Sequence, residues 1–226
     1  MLGMHRSGTS WLAGSLQDLG LEMGEVSTAD PHNRKGNRES PVLMEIHEGV
    51  LKDSGGSWKR PPSRVEWSAE RRAALAAHIA AMNARFPHGW GFKDPRALYL
   101  LDEWRAQAPR HERIGIFRHP LAVHRSLESR SDRFDEKRSL DLWCAYNERL
   151  VAEHERSAFP MLRFDVDAPV LLAGLGRVAE RLLLPLSERR SNFFDAELVH
   201  NDAVTLPVPT SCRKLWTYLE AQVVPA

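Results

Sequence analysis

The sequence lacks the marks of several large protein classes. Its 226 residues contain two cysteines, Cys144 and Cys212, which are too few for a disulfide framework or a cysteine zinc set. The histidines form no His-Glu-x-x-His pattern, so no metal site is predicted. No run of about 18 apolar residues predicts a membrane span, and residues 6–8 interrupt the apolar core that a signal peptide would need. We therefore expect a cytoplasmic protein that binds no metal.

The charge is also nearly balanced, with 31 lysines and arginines against 30 aspartates and glutamates. Such a chain has no overall basic field, which argues against nucleic acid as a partner. Any anion must instead be bound by locally placed arginines and backbone amides. The length fits one α/β domain spanning residues 1–226.

The first motif is the glycine loop at residues 3–10, which reads Gly-Met-His-Arg-Ser-Gly-Thr-Ser. Two glycines let a backbone curl around an anion, and a helix predicted at 9–19 points its positive end at the same place. Nucleoside triphosphatases have a lysine directly before the Ser/Thr of this loop, where this chain has Thr9. The nearby cation is Arg6, inside the loop. This difference favours a phosphate-bearing donor other than ATP.

Helix and strand patterns alternate along the rest of the chain, with strands predicted at 90–93, 113–117 and 161–164. Strands separated by helices predict parallel crossover units. We therefore expect an α/β three-layer sandwich, a mostly parallel sheet flanked by helices. A phosphate loop normally follows a strand, yet only Met1 and Leu2 precede Gly3, so the first strand is expected to be short or missing. The remaining predicted helices cover 42–51, 69–86 with Ser68 as cap, 121–130, 140–156, 170–184 and 211–222, and loops are predicted at 25–39, 54–64 and 195–209.

A second motif follows the strand predicted at 113–117, which ends in Arg118, and Ser126 lies eight residues later. Open parallel sheets bind ligands at the carboxyl ends of their strands. A guanidinium offers a forked donor to phosphate, and a hydroxyl adds one further bond. Taken alone, the two residues are better explained as an arginine paired with a carboxylate and a solvated helix serine. Together with the glycine loop, the two residues favour a second anion site.

With both motifs, the chain resembles bacterial members of the sulfotransferase family, which use 3′-phosphoadenosine-5′-phosphosulfate as sulfuryl donor. The resemblance rests on residues 3–11 and on 118–120 with Ser126, and lesser matches lie at 33–36 with Glu39, at 93–96 and at 206–207. In the family the first motif binds the 5′-phosphosulfate and the second binds the 3′-phosphate. The resemblance implies a P-loop-like fold and sulfuryl transfer to a hydroxyl or amine of a small-molecule or carbohydrate acceptor, without metal.

The resemblance also assigns residues to the donor. Arg6 stands where many relatives have a lysine, and it would neutralise charge on the leaving phosphate. Trp11 matches an aromatic residue that stacks on adenine in some relatives, and packing in the helix core is the alternative. The complete set of implied donor residues is Arg6, Ser7, Gly8, Thr9, Ser10, Trp11, Arg118 and Ser126.

Two further residues are candidates for the chemistry. Glu39 is our candidate base, because Asn-x-x-Gly-x-x-Glu from Asn33 resembles the family's acceptor-side segment, although residues 37–38 lack the usual aromatic pair. A surface glutamate is the alternative, and a histidine is the other type of base that relatives use. Lys93 would stabilise charge on the transferring sulfuryl group. Asp94 and Arg96 are expected to form a local pair.

Two other functions fit parts of the sequence. A P-loop kinase would use ATP and magnesium, and it would need a lysine at position 9 and a carboxylate at a strand end. This chain has Thr9 and Arg118 at those places, which ranks the kinase lower. A non-catalytic nucleotide-binding protein is the other alternative, because a nearly absent first strand would leave the loop poorly placed.

Overall fold

A computed structural model of the chain describes residues 1–29, 36–129, 134–184 and 206–224. These residues form a mixed α/β fold, as the sequence predicts. No helix in the described ranges has both the length and the apolar character needed to cross a bilayer. The helices are α1 (Thr9–Asp18), α2 (Pro41–Asp53), α3 (Ala69–Arg85), α4 (Leu101–Gln107), α5 (Pro120–Glu128), α6 (Glu136–Arg156), α7 (Ala168–Arg181) and α8 (Arg213–Ala221), and the strands are β1 (Gly115–Phe117) and β2 (Met161–Arg163).

The sheet is small and parallel. β1 pairs with β2, and Gly115 lies opposite Met161. One residue extends the sheet on each side, since Leu2 bridges Gly115 and Val223 bridges Met161, both in parallel. The first strand, expected to be short or missing, is thus a single bridging residue directly before the glycine loop.

Alternate residues of the two strands point to two apolar clusters. Ile116 and Leu162 belong to a cluster with residues of α1 and α7. Phe117 and Met161 belong to a larger cluster with residues of α2, α5, α6 and α8. Because successive side chains of a strand face opposite sides of a sheet, helices cover both faces. The carboxyl ends of the strands are left beside the glycine loop.

The strand predicted at residues 90–93 is wrong. Gly91 donates its N–H to the carbonyl of Glu22 at 2.8 Å, and the carbonyl of Phe92 accepts a hydrogen bond from the nitrogen of Met1 at 2.9 Å. These are single bonds to two separate segments and form no ladder. The chain is held in place here, and it then enters a 3-10 turn at Pro95–Tyr99.

Several predicted boundaries also shift. β1 lacks the first two residues predicted for it. α6 starts at Glu136, four residues before the predicted start, because the carboxylate of Asp135 accepts from the N–H of Arg138 at 2.7 Å and caps it. α3 begins after Ser68, as predicted, with the Ser68 side chain as its cap. Of the predicted regions, residue 130 of the helix predicted at 121–130, residues 30–35 of one loop and 195–205 of another lie outside the described residues.

Candidate functional site

The glycine loop lies between Leu2 of the sheet and α1, and its backbone is tightly curled. Gly8 has a φ of +88° and Arg6 a φ of +68°, both in the left-handed region. Glycine adopts this conformation readily, whereas it costs a residue with a side chain about 1–2 kcal/mol. Backbone strain of this kind concentrates at functional sites. The curl at Arg6 therefore singles out this loop as a candidate binding site.

The N-terminal end of α1 has no side-chain cap and no acidic residue in its first turn. Its first N–H groups lack intrahelical acceptors, and the helix dipole adds positive potential there. The adjacent Ser7 is fully buried, and its hydroxyl has no hydrogen-bond partner in the part of the chain that the structure describes. An uncapped helix end beside a buried hydroxyl suits an anion.

The ring of Phe164, the residue after β2, packs against this loop. A Cβ atom added to Gly8 would overlap the Cδ2 and Cγ atoms of the Phe164 ring. The guanidinium carbon of Arg118 lies 5.4 Å from the centroid of the same ring. One aromatic side chain thus supports both the glycine loop and the arginine of the second motif.

Replacing Gly8 by alanine is expected to lower the free energy of unfolding by about 1–3 kcal/mol, because both its φ and the Phe164 ring oppose a side chain. The melting temperature should fall by about 3–10 °C. Gly176→Ala is the matched control: it lies inside α7, a Cβ there meets nothing within 4 Å, and alanine should add about 0.5–1 kcal/mol. A Gly8→Ala protein as stable as the wild type would contradict the packing described here.

The two sequence motifs meet in a direct contact. Nε of Arg6 donates to the hydroxyl oxygen of Ser126 at 2.8 Å, across 120 positions of sequence. Ser126 lies in α5, which begins two residues after Arg118. The structure therefore brings the glycine loop, Arg118 and Ser126 into one region at the carboxyl end of β1.

Arg118 is 8% exposed, and burial lowers the pKa of its guanidinium although the nearby charge of Asp165 opposes this. The two oxygens of Asp165 accept from the backbone N–H of His119 at 3.0 Å and from Nε of Arg163 at 3.1 Å. A buried cation is expensive in free energy unless an anion is near. Arg118 is therefore a buried cation with the carboxylate of Asp165 near it, at the carboxyl end of β1.

Trp11 has the position of a core residue. It is 7% exposed, and its ring centroid lies 6.0 Å from that of Phe164. It belongs to the cluster formed with α7. This is the placement of helix-core packing, the alternative to adenine stacking.

A cleft of about 140 Å³ opens beside the glycine loop. His5, Arg6, Thr9 and Ser10 line its loop side. Its lining also includes Glu39, Lys93 and Arg96, together with Met44 and Trp58. The three residues expected to carry the chemistry, Arg6, Glu39 and Lys93, therefore share one cleft.

The acceptor-side segment is tied to the glycine loop through Asn37. The carbonyl oxygen of Asn37 accepts from the hydroxyl of Ser10 at 3.2 Å and from Nζ of Lys93 at 2.9 Å. Gly36 and Glu39 of the predicted Asn-x-x-Gly-x-x-Glu pattern are described, whereas residues 33–35 lie outside the described residues. These two hydrogen bonds fix the position of Glu39 relative to the loop.

Glu39 is buried and paired, so the alternative of a surface glutamate is wrong. It is 6% exposed. Its Oε1 accepts from Nζ of Lys93 at 2.6 Å, and its Oε2 accepts from Nη1 of Arg96 at 3.1 Å. Lys93 and Arg96 are themselves buried, at 3% and 5% exposed. Two cations therefore hold one carboxylate at the wall of the cleft.

Asp94 positions Arg96, one of the two cations that contact Glu39. Its Oδ1 accepts from Nη1 of Arg96 at 2.8 Å, which confirms the predicted pair, and its Oδ2 contacts Nδ1 of His47 at 2.8 Å. Burial alone would raise the pKa of Asp94, but the hydrogen bond from His47 and the charge of Arg96 hold that pKa well below its ordinary value. Asp94 thus stays ionised and keeps Arg96 aimed at Glu39.

The sequence reading missed His47. Indole Nε1 of Trp104 donates to Nε2 of His47 at 3.0 Å, and since an indole N–H only donates, the His47 proton lies on Nδ1 and is donated to Asp94. His47 occupies the apolar face of α2 with Leu43 and Val50. The sequence signal that could have indicated it was a histidine at the helical spacing of these apolar residues. Across the described ranges, no group of three or more His, Cys, Asp or Glu side chains is arranged to hold a metal ion.

Comparisons with known proteins assign no family to this site. No family model, no curated protein and no solved structure matches the chain. Its function therefore has to be inferred from the loop, the cleft and the buried charges described above.

Proposed function

We propose that this chain is a sulfotransferase with a P-loop-like, three-layer fold. It would move a sulfuryl group from 3′-phosphoadenosine-5′-phosphosulfate to a hydroxyl or amine. The observation that carries the proposal is the 2.8 Å contact between Arg6 and Ser126. It joins the two motifs that the resemblance assigns to opposite ends of one nucleotide, and such a ligand needs two neighbouring anion sites.

The proposed donor would bind to groups that are suited to anions. Its 5′-phosphosulfate would lie on the uncapped end of α1, with the Ser7 hydroxyl beside it. Its 3′-phosphate would lie between Arg118 and Ser126. Binding would replace the Arg6–Ser126 hydrogen bond, so that the Ser126 hydroxyl turns to the 3′-phosphate and Arg6 turns to the bridging oxygen.

The reaction would be a direct in-line displacement. The acceptor oxygen or nitrogen forms a bond to sulfur, the bond from sulfur to the 5′-phosphate oxygen breaks, and adenosine 3′,5′-bisphosphate leaves. Negative charge grows on the departing phosphate, where Arg6 and the loop N–H groups would stabilise it. Catalysis would come from alignment and charge stabilisation, by analogy with phosphoryl transfer.

Glu39 would accept the proton of the acceptor. Each of its oxygens already accepts one hydrogen bond, from Lys93 or from Arg96, and keeps a second lone pair for a proton; the departure of one partner would leave that oxygen fully open. Lys93 is the partner that can leave, because a shift of its ammonium towards the transferring sulfuryl group would stabilise charge there and release Oε1. His5 lines the same cleft and is the alternative base.

A small-molecule or carbohydrate acceptor would bind in the cleft. Met44 and Trp58 give one wall an apolar surface, and Glu39 and Arg96 supply charged groups next to it. A mostly polar ring with hydroxyl groups would use both kinds of surface. The acceptor hydroxyl would enter between Arg6 and Glu39.

Nucleotide binding tests the proposed donor site. Adenosine 3′,5′-bisphosphate without magnesium should raise the melting temperature of the wild type. Arg118→Ala should weaken its binding by roughly 10–150-fold, the equivalent of about 1.5–3 kcal/mol for a charged hydrogen bond. Arg125→Ala is the matched control, since Arg125 is an exposed arginine of α5, the helix that follows Arg118, and it should bind the nucleotide as the wild type does.

Three outcomes would favour other conclusions. Equal binding by Arg118→Ala and the wild type would contradict the assigned 3′-phosphate site. A response to ATP with magnesium, without one to the bisphosphate, would favour the kinase. Tight bisphosphate binding with no transfer of labelled sulfuryl to any member of a broad acceptor panel would favour a non-catalytic nucleotide-binding protein.

A further inference from the structure

The two cysteines of the chain lie side by side. Cys144 is in α6, and Cys212 ends the 3-10 turn at Thr210–Cys212 that leads into α8. Their Sγ atoms are 3.4 Å apart although 68 positions separate them in sequence. Both are free thiols. The fold therefore creates a thiol pair that neither sequence spacing nor local structure would indicate.

The sulfur atoms are in van der Waals contact at 3.4 Å, and they must approach to about 2.05 Å to form a disulfide. Cys212 is fully buried, whereas Cys144 is partly exposed. A reagent in solution can therefore reach one sulfur, and the other is held beside it. This is the arrangement of an attacking and a resolving thiol.

The hydrogen bond between the thiols makes one of them reactive. It lowers the pKa of Cys212, although burial opposes this, and it raises the pKa of Cys144. The thiolate is the nucleophilic form of cysteine. These directions favour the thiolate on Cys212, the buried resolving sulfur, whereas Cys144 reacts first because it is the sulfur that a reagent can reach.

We propose that Cys144 and Cys212 are a redox pair, which a low-molecular-weight disulfide such as oxidised glutathione converts into an intramolecular disulfide. The Cys144 thiolate attacks one sulfur of the reagent, forms a mixed disulfide and releases one thiolate. The Cys212 thiolate then attacks Sγ of Cys144 and releases the second. The two cysteines lose two electrons and two protons, and the reagent takes them up as two thiols.

The bond would fasten the start of α8 to α6 beside the second motif. Trp216 of α8 lies with its ring centroid 5.3 Å from that of Phe117 and 5.2 Å from that of His119. These two residues flank Arg118 at the end of β1. Oxidation would therefore fix the packing behind Arg118, and this inference does not depend on the reaction proposed above.

The test is to incubate the purified full chain with oxidised glutathione, remove the reagent and count thiols in denaturant. We expect both thiols to disappear, the intact mass to fall by two hydrogen atoms, and the chain to stay monomeric on a non-reducing gel. The melting temperature should rise by about 5–10 °C, because the bond closes a long loop. Dithiothreitol should reverse all of these changes.

Single variants provide the controls. Cys212→Ser should stop at a glutathione adduct on Cys144, and Cys144→Ser should keep its buried thiol unmodified. Neither variant should gain thermal stability on oxidation. Stable glutathione adducts on the wild type, covalent dimers, or two thiols still free after treatment would each overturn the proposal.

Discussion

Replacing Arg6 by alanine is expected to slow the proposed sulfuryl transfer by about 10²–10³-fold, the usual effect of removing one preorganised donor to a developing anion. Arg6 lines the cleft and is held there by its hydrogen bond to Ser126. Without it, charge on the departing 5′-phosphate of the proposed donor would be stabilised only by the N–H groups and hydroxyls of the loop. The rate constant for transfer from labelled donor, measured in single turnovers, reports this step.

Arg6→Lys is the informative companion variant. An ammonium keeps the charge but loses the planar fork of the guanidinium, so it should recover part of the rate lost in Arg6→Ala. Binding of adenosine 3′,5′-bisphosphate should be measured for both variants. A full rate in Arg6→Ala would remove Arg6 from the mechanism, and weaker donor binding with an unchanged rate constant would restrict it to ground-state binding.

Asp94→Ala is expected to destabilise the fold by about 3–5 kcal/mol, because it breaks a buried ion pair and leaves its partners without compensation. Asp94 is 1% exposed and accepts hydrogen bonds from both Arg96 and His47. Denaturant unfolding at neutral pH measures the change. Asp141→Ala is the matched control: Asp141 pairs with Lys137 in an exposed i,i+4 bridge, and its loss should change the stability only slightly.

The effect of Asp94 should depend on pH in a defined direction. Its folded-state pKa lies below the ordinary value of 3.8, so its stabilising contribution is fully present above that value. The contribution is lost as the pH falls from there towards the folded-state pKa. The stability difference between wild type and Asp94→Ala should therefore shrink in acid. A difference that is constant from pH 7 down to acid unfolding, or equal to that of Asp141→Ala, would contradict the buried network.

Local patterns in the sequence predicted most of the helices. They failed for the strand predicted at 90–93, because a strand forms only where it can pair with a neighbouring strand. The spacing of Leu43, Ile46 and Val50 predicted α2, and Ser68 marked the start of α3. The segment at 90–93 has the composition of a strand, but a strand also needs a neighbour to pair with along its length. Its hydrogen bonds go to two unrelated segments, and local composition carries no information about that.

The sequence likewise predicted some residues of the candidate site but not the contacts between distant residues. Arg6, Glu39 and Lys93 came from motifs, and the structure places all three at one cleft. The support of that cleft by Asp94 and His47, and the contact between Cys144 and Cys212, join residues 47 and 68 positions apart. Such pairs depend on how helices pack against each other, which residue types and spacing in one chain do not determine.

The ring of Phe164 has a consequence for ligand choice. The glycine turn contacts the ring at Gly8, and the Arg118 guanidinium lies over it. A benzene ring is rigid, so it holds the glycine turn and the Arg118 guanidinium at a fixed separation. If each receives one charged end of a ligand, the protein discriminates by the length of the molecule between those ends, and compounds of equal charge but different span would be rejected.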